Sequence, residues 1–281
     1  MKNYVEIKGY DEDFVPKHIF ECGQCFRFKK EADESYTIVA KNKVINISKS
    51  NGNIILRNTT DEDVADIWFD YFDLATNYGN IKTKLSDDKH LKASIEYGNG
   101  IRILNQDIWE CIISFIISAN NNIPRIQGIV ERLCECYGEK INAFDNTYYA
   151  FPSAERLKTV KKEDLSFLRA GYRDSYLLDA IKKVAEGEVV LEEFKDYTKE
   201  KAKTELLKIK GVGNKVSDCI LLFGNKRCET FPIDVWVKRS VGTLYADEIG
   251  DMTISDFADM KFGKFAGYAQ QYLFYYMREN S

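Results

Sequence analysis

The hydrophobic periodicity of this chain changes near residue 98, and that change constrains the fold more than any other feature of the sequence. Residues 35–39 and 44–48 are β-branched runs, and the Asn51-Gly52 pair that follows them favours a tight hairpin turn. From about residue 101 the apolar residues recur with a helical period. We therefore predict an α+β fold, with an N-terminal antiparallel sheet domain over residues 1–98 and an all-helical domain over residues 99–281.

Two helices can be located from their first residues. Thr60 precedes three acidic residues, which predicts a capped helix whose apolar side covers the sheet. Pro124 is tolerated in the first turn of a second helix, and Gly138 can end it. The predicted buried stripe of this second helix consists of Ile126, Ile129, Val130, Leu133 and Cys134.

Composition and charge exclude several classes of protein. Hydrophobic residues at 44% and charged residues at 30% are ordinary globular values. A net charge of -4 counts against indiscriminate nucleic-acid binding, so a nucleic-acid site has to be local. No run approaches the ~18 apolar residues of a membrane helix, and residues 1–6 do not resemble a signal peptide. We expect a soluble protein of the cell interior, without a membrane partner.

The cysteines indicate reduced thiols. Their number, seven, is odd and lacks the spacing of a secreted disulfide framework. Cys22 and Cys25 have the spacing of half a zinc site, but the chain has no second such pair and only two histidines. We therefore expect no zinc.

Residues 206–220 carry two helical patterns joined by Gly211-Val212-Gly213. The glycines allow a tight turn and close approach of another molecule, and the free N–H groups of the following helix attract anions. Five lysines surround this turn with one glutamate: Lys201, Lys203, Lys208, Lys210, Lys215 and Glu205. The segment predicts either a phosphate-binding hairpin or a plain corner between two helices.

Lys215 and Asp234 are the two residues with a candidate chemical role. Lys215 opens the second helix, where the helix dipole and partial burial disfavour the ammonium form, as a nucleophilic amine requires. An ordinary solvated lysine is the alternative. Asp234 lies in an apolar run and has to be hydrogen-bonded or paired. It either caps the next helix or stabilises cationic charge beside Lys215.

The hairpin resembles a known family. The pattern Gly-Val-Gly-x-Lys-Val-x-Asp-Cys at 211–219, followed by Pro-x-Asp-Val at 232–235, is similar to the helix-hairpin-helix DNA glycosylase superfamily. The blocks at 23–27, 118–125, 171–173 and 267–274 resemble its 8-oxoguanine DNA glycosylase/lyases, in the same order. No C-terminal cluster of four cysteines is present, unlike the iron–sulfur branch, and Lys215 is unlike the monofunctional alkyl-base branch.

The resemblance implies base-excision repair: 8-oxoguanine is flipped out of duplex DNA, excised through a lysine Schiff base, and the strand is then cleaved by AP lyase activity. It implies that Lys215 attacks C1′ and that Asp234 stabilises the charge on the sugar. The base pocket that it implies consists of Gly23, Cys219, Pro232, Gln270 and Phe274. Cys219 and Phe274 are equally compatible with a core position.

The resemblance also implies residues that contact DNA. Asn120, Tyr172 and Arg173 match residues that fill the gap left by the extruded base and contact the orphaned cytosine, and Arg125 matches an arginine that also reads that cytosine. Asn120 to Asn122 are equally compatible with a helix cap. Gly211 and Gly213 match the phosphate-binding turn. Trp236 departs from the family, which has a histidine there, so a phosphate contact from that position is not implied.

No cofactor is implied beyond a monovalent cation, which the family often binds through main-chain carbonyls at the positions of Leu207, Ile209 and Val212. The expected partner is double-stranded DNA containing 8-oxoguanine, bound by a monomer. For a prokaryotic source we expect a cytoplasmic, nucleoid-associated protein. The alternative function is a non-catalytic helix-hairpin-helix module in which Lys215 only contacts phosphate.

Overall fold

A five-stranded antiparallel sheet opens the computed structural model, which describes residues 4–10 and 12–280. Met1 to Asn3, part of the segment considered above as a signal peptide, lie outside the described residues. Asn51 and Gly52 have φ values of 49° and 78°, so the predicted hairpin turn is present. The strands, in the spatial order β1-β5-β4-β3-β2, are β1 (Tyr4–Ile7), β2 (Phe28–Lys30), β3 (Tyr36–Ala40), β4 (Lys43–Ser50) and β5 (Asn53–Arg57).

Helices make up most of the remaining chain, which confirms the α+β prediction. The α-helices are α1 (Pro16–Phe20), α2 (Asp61–Asp63), α3 (Phe69–Tyr71), α4 (Tyr78–Leu85), α5 (Lys89–Tyr97), α6 (Ile108–Ser118), α7 (Ile123–Tyr137), α8 (Ala154–Leu157), α9 (Asp174–Ala185), α10 (Lys199–Leu207), α11 (Asn214–Gly224), α12 (Val235–Leu244), α13 (Ala246–Ile249), α14 (Ile254–Phe262) and α15 (Ala266–Glu279). A π-helical turn, Val64–Trp68, joins α2 to α3, and 3-10 turns span Glu163–Leu168, Gly171–Arg173, Leu191–Asp196 and Gly263–Phe265. Each helix within residues 4–10 and 12–280 is too short or too polar to cross a membrane.

The two predicted helix starts are confirmed. The Thr60 side chain accepts a hydrogen bond from the amide of Asp63, and Trp68 and Phe72 are buried against the sheet. Asn122 caps α7 by accepting from the amide of Arg125 at 3.1 Å, and the predicted stripe of α7 is buried. The π-helical turn was not predicted, because the apolar spacing of this short segment suits an α-helical turn as well as a π-helical one.

We expected an unbroken helical pattern from about residue 101, but the structure shows an interruption. A two-stranded antiparallel hairpin, β6 (Lys140–Ala143) and β7 (Asn146–Tyr149), interrupts it. Its tip residues, Phe144 and Asp145, both have positive φ. Because neither is glycine and the segment has no Asn-Gly pair, the usual hairpin signal is missing. The domain division at residue 98 stays a prediction.

The loop at residues 21–24 is fixed between the sheet and the helices. The side chain of Gln24 is fully buried and its amide nitrogen donates to the carbonyl groups of Ile19 and Arg102, each at 2.8 Å. Its amide oxygen accepts from the Leu104 amide at 2.8 Å. These bonds hold the loop, including Gly23, against the helical part of the molecule.

Candidate active site

The glycine-rich turn between α10 and α11 has the open geometry of an anion site. Gly211 has a φ of +86°, and a Cβ there would lie 2.5 Å from the ring of Tyr176. Gly213 precedes α11, and no atom lies within 4 Å of the position of its missing Cβ. No side chain caps α11, so its first amides stay available to a ligand.

The predicted catalytic and pocket residues meet in one cavity. The cavity has a volume of about 60 Å³, far below the ~300 Å³ at which ligand pockets usually begin. A purine can therefore enter only after side chains move. The lining contains the seven predicted residues Gly23, Lys215, Cys219, Pro232, Asp234, Gln270 and Phe274, and also Cys22, Phe115, Phe223 and Gln271.

Lys215 lies in the first turn of α11, half-buried, with Nζ 5.5 Å from the centre of the Phe115 ring. It forms no ion pair with any residue that the structure describes. Cys219 lies one helical turn further on. Burial raises the pKa of the Cys219 thiol, and the neighbouring Lys215 opposes that rise. The thiol therefore stays protonated and does not compete with the lysine amine as a nucleophile.

Asp234 caps α12. One carboxylate oxygen accepts from the amide of Val237 at 2.8 Å. The residue also lines the cavity with Lys215, so the two interpretations of the sequence, a cap and a carboxylate beside the lysine, are compatible. The cap fixes the carboxylate, which forms no ion pair with the described part of the chain.

Gln270 contributes an unsatisfied acceptor. The residue is 4% exposed, and its buried Oε1 atom has no hydrogen-bond partner within residues 4–10 and 12–280. An unsatisfied buried oxygen is costly, so it marks a position where a ligand donor fits. Phe274, one turn further along α15, is half-buried, and its ring lies against Gly23, whose φ is +79°.

The asparagine segment after α6 forms an exposed turn and a cap together. Asn120 is exposed with a φ of +50°, and Asn122 is the cap of α7. Arg125 is exposed, with Nη2 3.4 Å from the carbonyl of Arg169. Tyr172 is 56% exposed. Three of the four predicted contact residues are thus available to a macromolecule on one side of the helical part.

Arg173 differs from these neighbours, because it is only 3% exposed. Its guanidinium donates to the carbonyl groups of Ala119, Asn120 and Ala170. These bonds tie the asparagine turn to the segment before α9. A direct contact of Arg173 with the orphaned base stays a prediction, and the geometry favours a residue that holds Asn120 in place.

The carbonyl groups of the hairpin attract positive charge. Lys183 donates to the carbonyl of Lys208, and the Ile209 carbonyl accepts from the Val212 amide at 3.1 Å. No group of three or more His, Cys, Asp or Glu side chains suited to a metal ion occurs within residues 4–10 and 12–280. Trp236 lies in the first turn of α12, with the Arg239 guanidinium 5.1 Å from its ring centre.

Four cavity residues escaped the sequence analysis. Phe115 and Phe223 lie in apolar helices, where their sequence positions do not distinguish them from core residues. Cys22 adjoins the Gly23 block. Gln271 is a second amide side chain in α15, a helix rich in aromatic residues. Its polar character was the one signal in the sequence that could have marked it as a site residue.

Known proteins resemble this chain along its full length. Residues 6–112 match the family model of the 8-oxoguanine DNA glycosylase N-terminal domain. A probable N-glycosylase/DNA lyase of Methanothermobacter thermautotrophicus is 32% identical over 74% of this chain and 73% of that protein. The Clostridium acetobutylicum 8-oxoguanine glycosylase/lyase, in complex with double-stranded DNA containing cytosine opposite 8-oxoguanine, is 40% identical with a TM-score of 0.95, covering 100% of this chain and 97% of that one. MBOgg1, in complex with a low-affinity DNA ligand, is 45% identical with a TM-score of 0.95, covering 99% and 96% of the two chains.

Proposed function

Since this chain belongs to the family of 8-oxoguanine DNA glycosylase/lyases, we propose that the cavity around Lys215 excises 8-oxoguanine from duplex DNA and then cleaves the strand. The chain is a bifunctional base-excision repair enzyme, a DNA glycosylase and AP lyase. The one observation that carries the assignment of the site is the shared cavity, in which a lysine without an ion-pair partner, a carboxylate and an unsatisfied amide oxygen meet.

Lys215 acts as the nucleophile in this proposal. Its unprotonated Nζ attacks C1′ of the flipped nucleotide, and the bond from C1′ to N9 breaks with its electron pair leaving on the base. Ring opening of the sugar gives an imine between Nζ and C1′. Elimination then removes a proton from C2′, forms a C2′=C3′ double bond and breaks the C3′–O bond to the phosphate, and hydrolysis of the imine frees the lysine. Asp234 stabilises the positive charge that develops on the sugar.

The pocket residues bind the base through acceptors. The Watson–Crick edge of 8-oxoguanine presents N–H donors at N1 and N2, which suit the unsatisfied Oε1 of Gln270. Phe274 and Cys219 hold the two faces of the purine, and Pro232 closes the pocket on the side of Asp234. The carbonyl of Gly23 accepts from N7–H, which the lesion has and guanine lacks.

The exposed residues bind the duplex. Asn120 and Tyr172 fill the gap left by the extruded base, and Arg125 reads the orphaned cytosine through its fixed fork of donors. Gly211 and Gly213 offer backbone amides to one phosphate. Arg173 supports this surface as a positioning residue.

A monovalent cation fits the hairpin in this proposal. The carbonyl groups of Leu207, Ile209 and Val212 would hold it, and the neighbouring Lys208 carbonyl already binds the ammonium group of Lys183. The cation would neutralise the carbonyl dipoles next to the bound phosphate. We also propose that the enzyme acts as a monomer on DNA inside the cell.

Borohydride trapping tests the catalytic assignment. The enzyme should form a covalent adduct with DNA containing 8-oxoguanine, and Lys215→Gln should form none while still binding the duplex. Lys208→Gln removes a charge from the same hairpin, where Lys208 pairs with Glu205 at 2.7 Å, and should keep the adduct. A Lys215→Gln protein that still cut lesion DNA near the parent rate would show that another residue is the nucleophile. It would also reopen the alternative that Lys215 only contacts phosphate.

A further inference from the structure

Side chains bind three of the four carbonyl groups in the loop at residues 21–24. The Cys22 carbonyl accepts from Gln271 Nε2 and the Gln24 carbonyl accepts from Gln106 Nε2, both at 2.7 Å, while Arg278 Nη2 binds the Glu21 carbonyl. Among the described residues, the fourth carbonyl, that of Gly23, accepts no hydrogen bond. The loop therefore presents one free acceptor at the wall of the cavity.

Arg278 brings a free donor next to this acceptor. Its Nη2 and Nε atoms also bind the Glu279 carboxylate, at 2.8 and 3.0 Å. Its Nη1 atom, in contrast, is buried and has no hydrogen-bond partner among the described residues. A Cβ on Gly23 would lie 3.2 Å from that Nη1 atom and 3.1 Å from Cε1 of Phe274. An unsatisfied donor thus lies beside Gly23, and the guanidinium carbon of Arg278 lies 5.3 Å from the centre of the Phe274 ring.

We propose that Arg278 is a specificity-determining residue, whose Nη1 donates a hydrogen bond to the C8 carbonyl of the lesion while Gly23 accepts from N7–H. The proposal rests on the function assigned above. N7–H and C8=O are adjacent on the five-membered ring, so a neighbouring acceptor and donor match them together. Guanine has a lone pair at N7 and a hydrogen on C8, so it would leave both protein groups unpaired.

The same contact promotes bond cleavage. When the glycosidic bond breaks, its electron pair leaves on the purine, and the negative charge spreads over the imidazole ring and the C8 oxygen. A guanidinium that donates to this oxygen stabilises the leaving group in the transition state. Loss of Arg278 should therefore lower the excision rate at saturating enzyme.

Gln271 and Arg278 have different parts in this arrangement. Gln271 lines the cavity and donates to the Cys22 carbonyl, and we treat it as a positioning residue whose loss should affect every purine in the pocket alike. Arg278 has one nitrogen for the loop and another for the ligand. A lesion altered only at C8 distinguishes the two parts.

The experiment compares 8-oxoguanine with 8-thioxoguanine, which keeps N7–H but carries a sulfur that is a weak acceptor. Single-turnover excision is measured at saturating enzyme for the parent, Arg278→Met, Gln271→Met and the exposed control Arg156→Met. Arg278→Met should slow excision of 8-oxoguanine about 10- to 100-fold, as expected for one hydrogen bond to a charged group. Its effect on 8-thioxoguanine should be much smaller, because sulfur accepts a hydrogen bond only weakly. The larger size of sulfur affects the parent and the variant alike, so it cancels when the two rate ratios are compared.

Two further measurements make each outcome decisive. Cleavage of an abasic site, which needs no base in the pocket, should be unchanged in Arg278→Met, and Gln271→Met should slow both lesions by the same factor. Equal slowing of both lesions by Arg278→Met would overturn the C8 contact and leave a positioning role. If the parent itself excised no 8-oxoguanine, the proposed function would fail first, and the inference with it.

Discussion

Gly23→Ala tests how the pocket distinguishes the lesion from guanine. The substitution adds one methyl group at a residue with φ of +79°, where a residue with a Cβ costs about 1–2 kcal/mol. That Cβ would lie 3.1 Å from Cε1 of Phe274 and 3.2 Å from Nη1 of Arg278, so the loop, the ring or both must shift by a few tenths of an ångström. The carbonyl of residue 23 would then leave bonding distance of N7–H.

The expected loss follows from these two effects. An unmade hydrogen bond in a buried site costs about 1–3 kcal/mol, which corresponds to a rate reduction of roughly 5- to 150-fold. The assay is single-turnover excision of 8-oxoguanine at saturating enzyme, with cleavage of an abasic site and duplex binding measured in parallel. Only the rate of base excision should fall, because neither abasic-site cleavage nor duplex binding uses the Gly23 carbonyl in this proposal.

Gly187→Ala is the matched control for backbone strain. Gly187 has a φ of +75°, and no atom lies within 4 Å of the position of its missing Cβ. Both substitutions should therefore lower the melting temperature through backbone strain, while only Gly23→Ala slows excision. An excision rate of Gly23→Ala equal to that of the parent would refute the reading of N7–H by this carbonyl.

Two other substitutions have defined outcomes. Arg125→Ala should relax the preference for cytosine over thymine opposite the lesion by about 1–3 kcal/mol, seen as a smaller ratio of single-turnover rates on the two duplexes; an unchanged ratio would exclude Arg125 as the reader. Burial raises the pKa of Glu110 to about 7. Because the folded protein then holds a proton that the unfolded chain has released, stability should fall as pH rises from about 4.5 to about 7, and Glu110→Gln should flatten that slope in melting temperature. An identical slope in the variant would contradict the raised pKa.

The fold could be predicted where the signals are local. The Asn51-Gly52 turn and the Thr60 cap depend on residues within a few positions, and the structure has both. The hairpin tip at Phe144 and Asp145 carries no such signal, because its positive φ values are imposed by the strands on either side. Local chemistry therefore revealed helix starts and one turn, while a strand pair inside a helical region escaped.

The active site divides in the same way. The position of Lys215 at the start of α11 is visible in its own segment, and the structure confirms that helix start. The contact between Gly23 and Phe274 cannot be seen in either segment alone, because about 250 residues separate the loop from α15. The hydrogen bond from Gln271 to Cys22 spans a similar separation. Family resemblance supplied that pairing. The resemblance did not include Arg278, so its free nitrogen is revealed only by the structure.

Because the cavity is small, discrimination between 8-oxoguanine and guanine depends on how the base pocket opens. With about 60 Å³ of space, the pocket admits a purine only after side chains move, and a movement of Phe274 away from Gly23 would give up packing between the ring and the loop. Three unsatisfied groups can offset this loss: Gln270 Oε1, the Gly23 carbonyl and Arg278 Nη1. In the proposed binding mode, guanine would satisfy only Gln270, whereas 8-oxoguanine would satisfy all three. The two bases would therefore differ in how well they stabilise the open pocket, because guanine lacks two of the hydrogen bonds that keep it open.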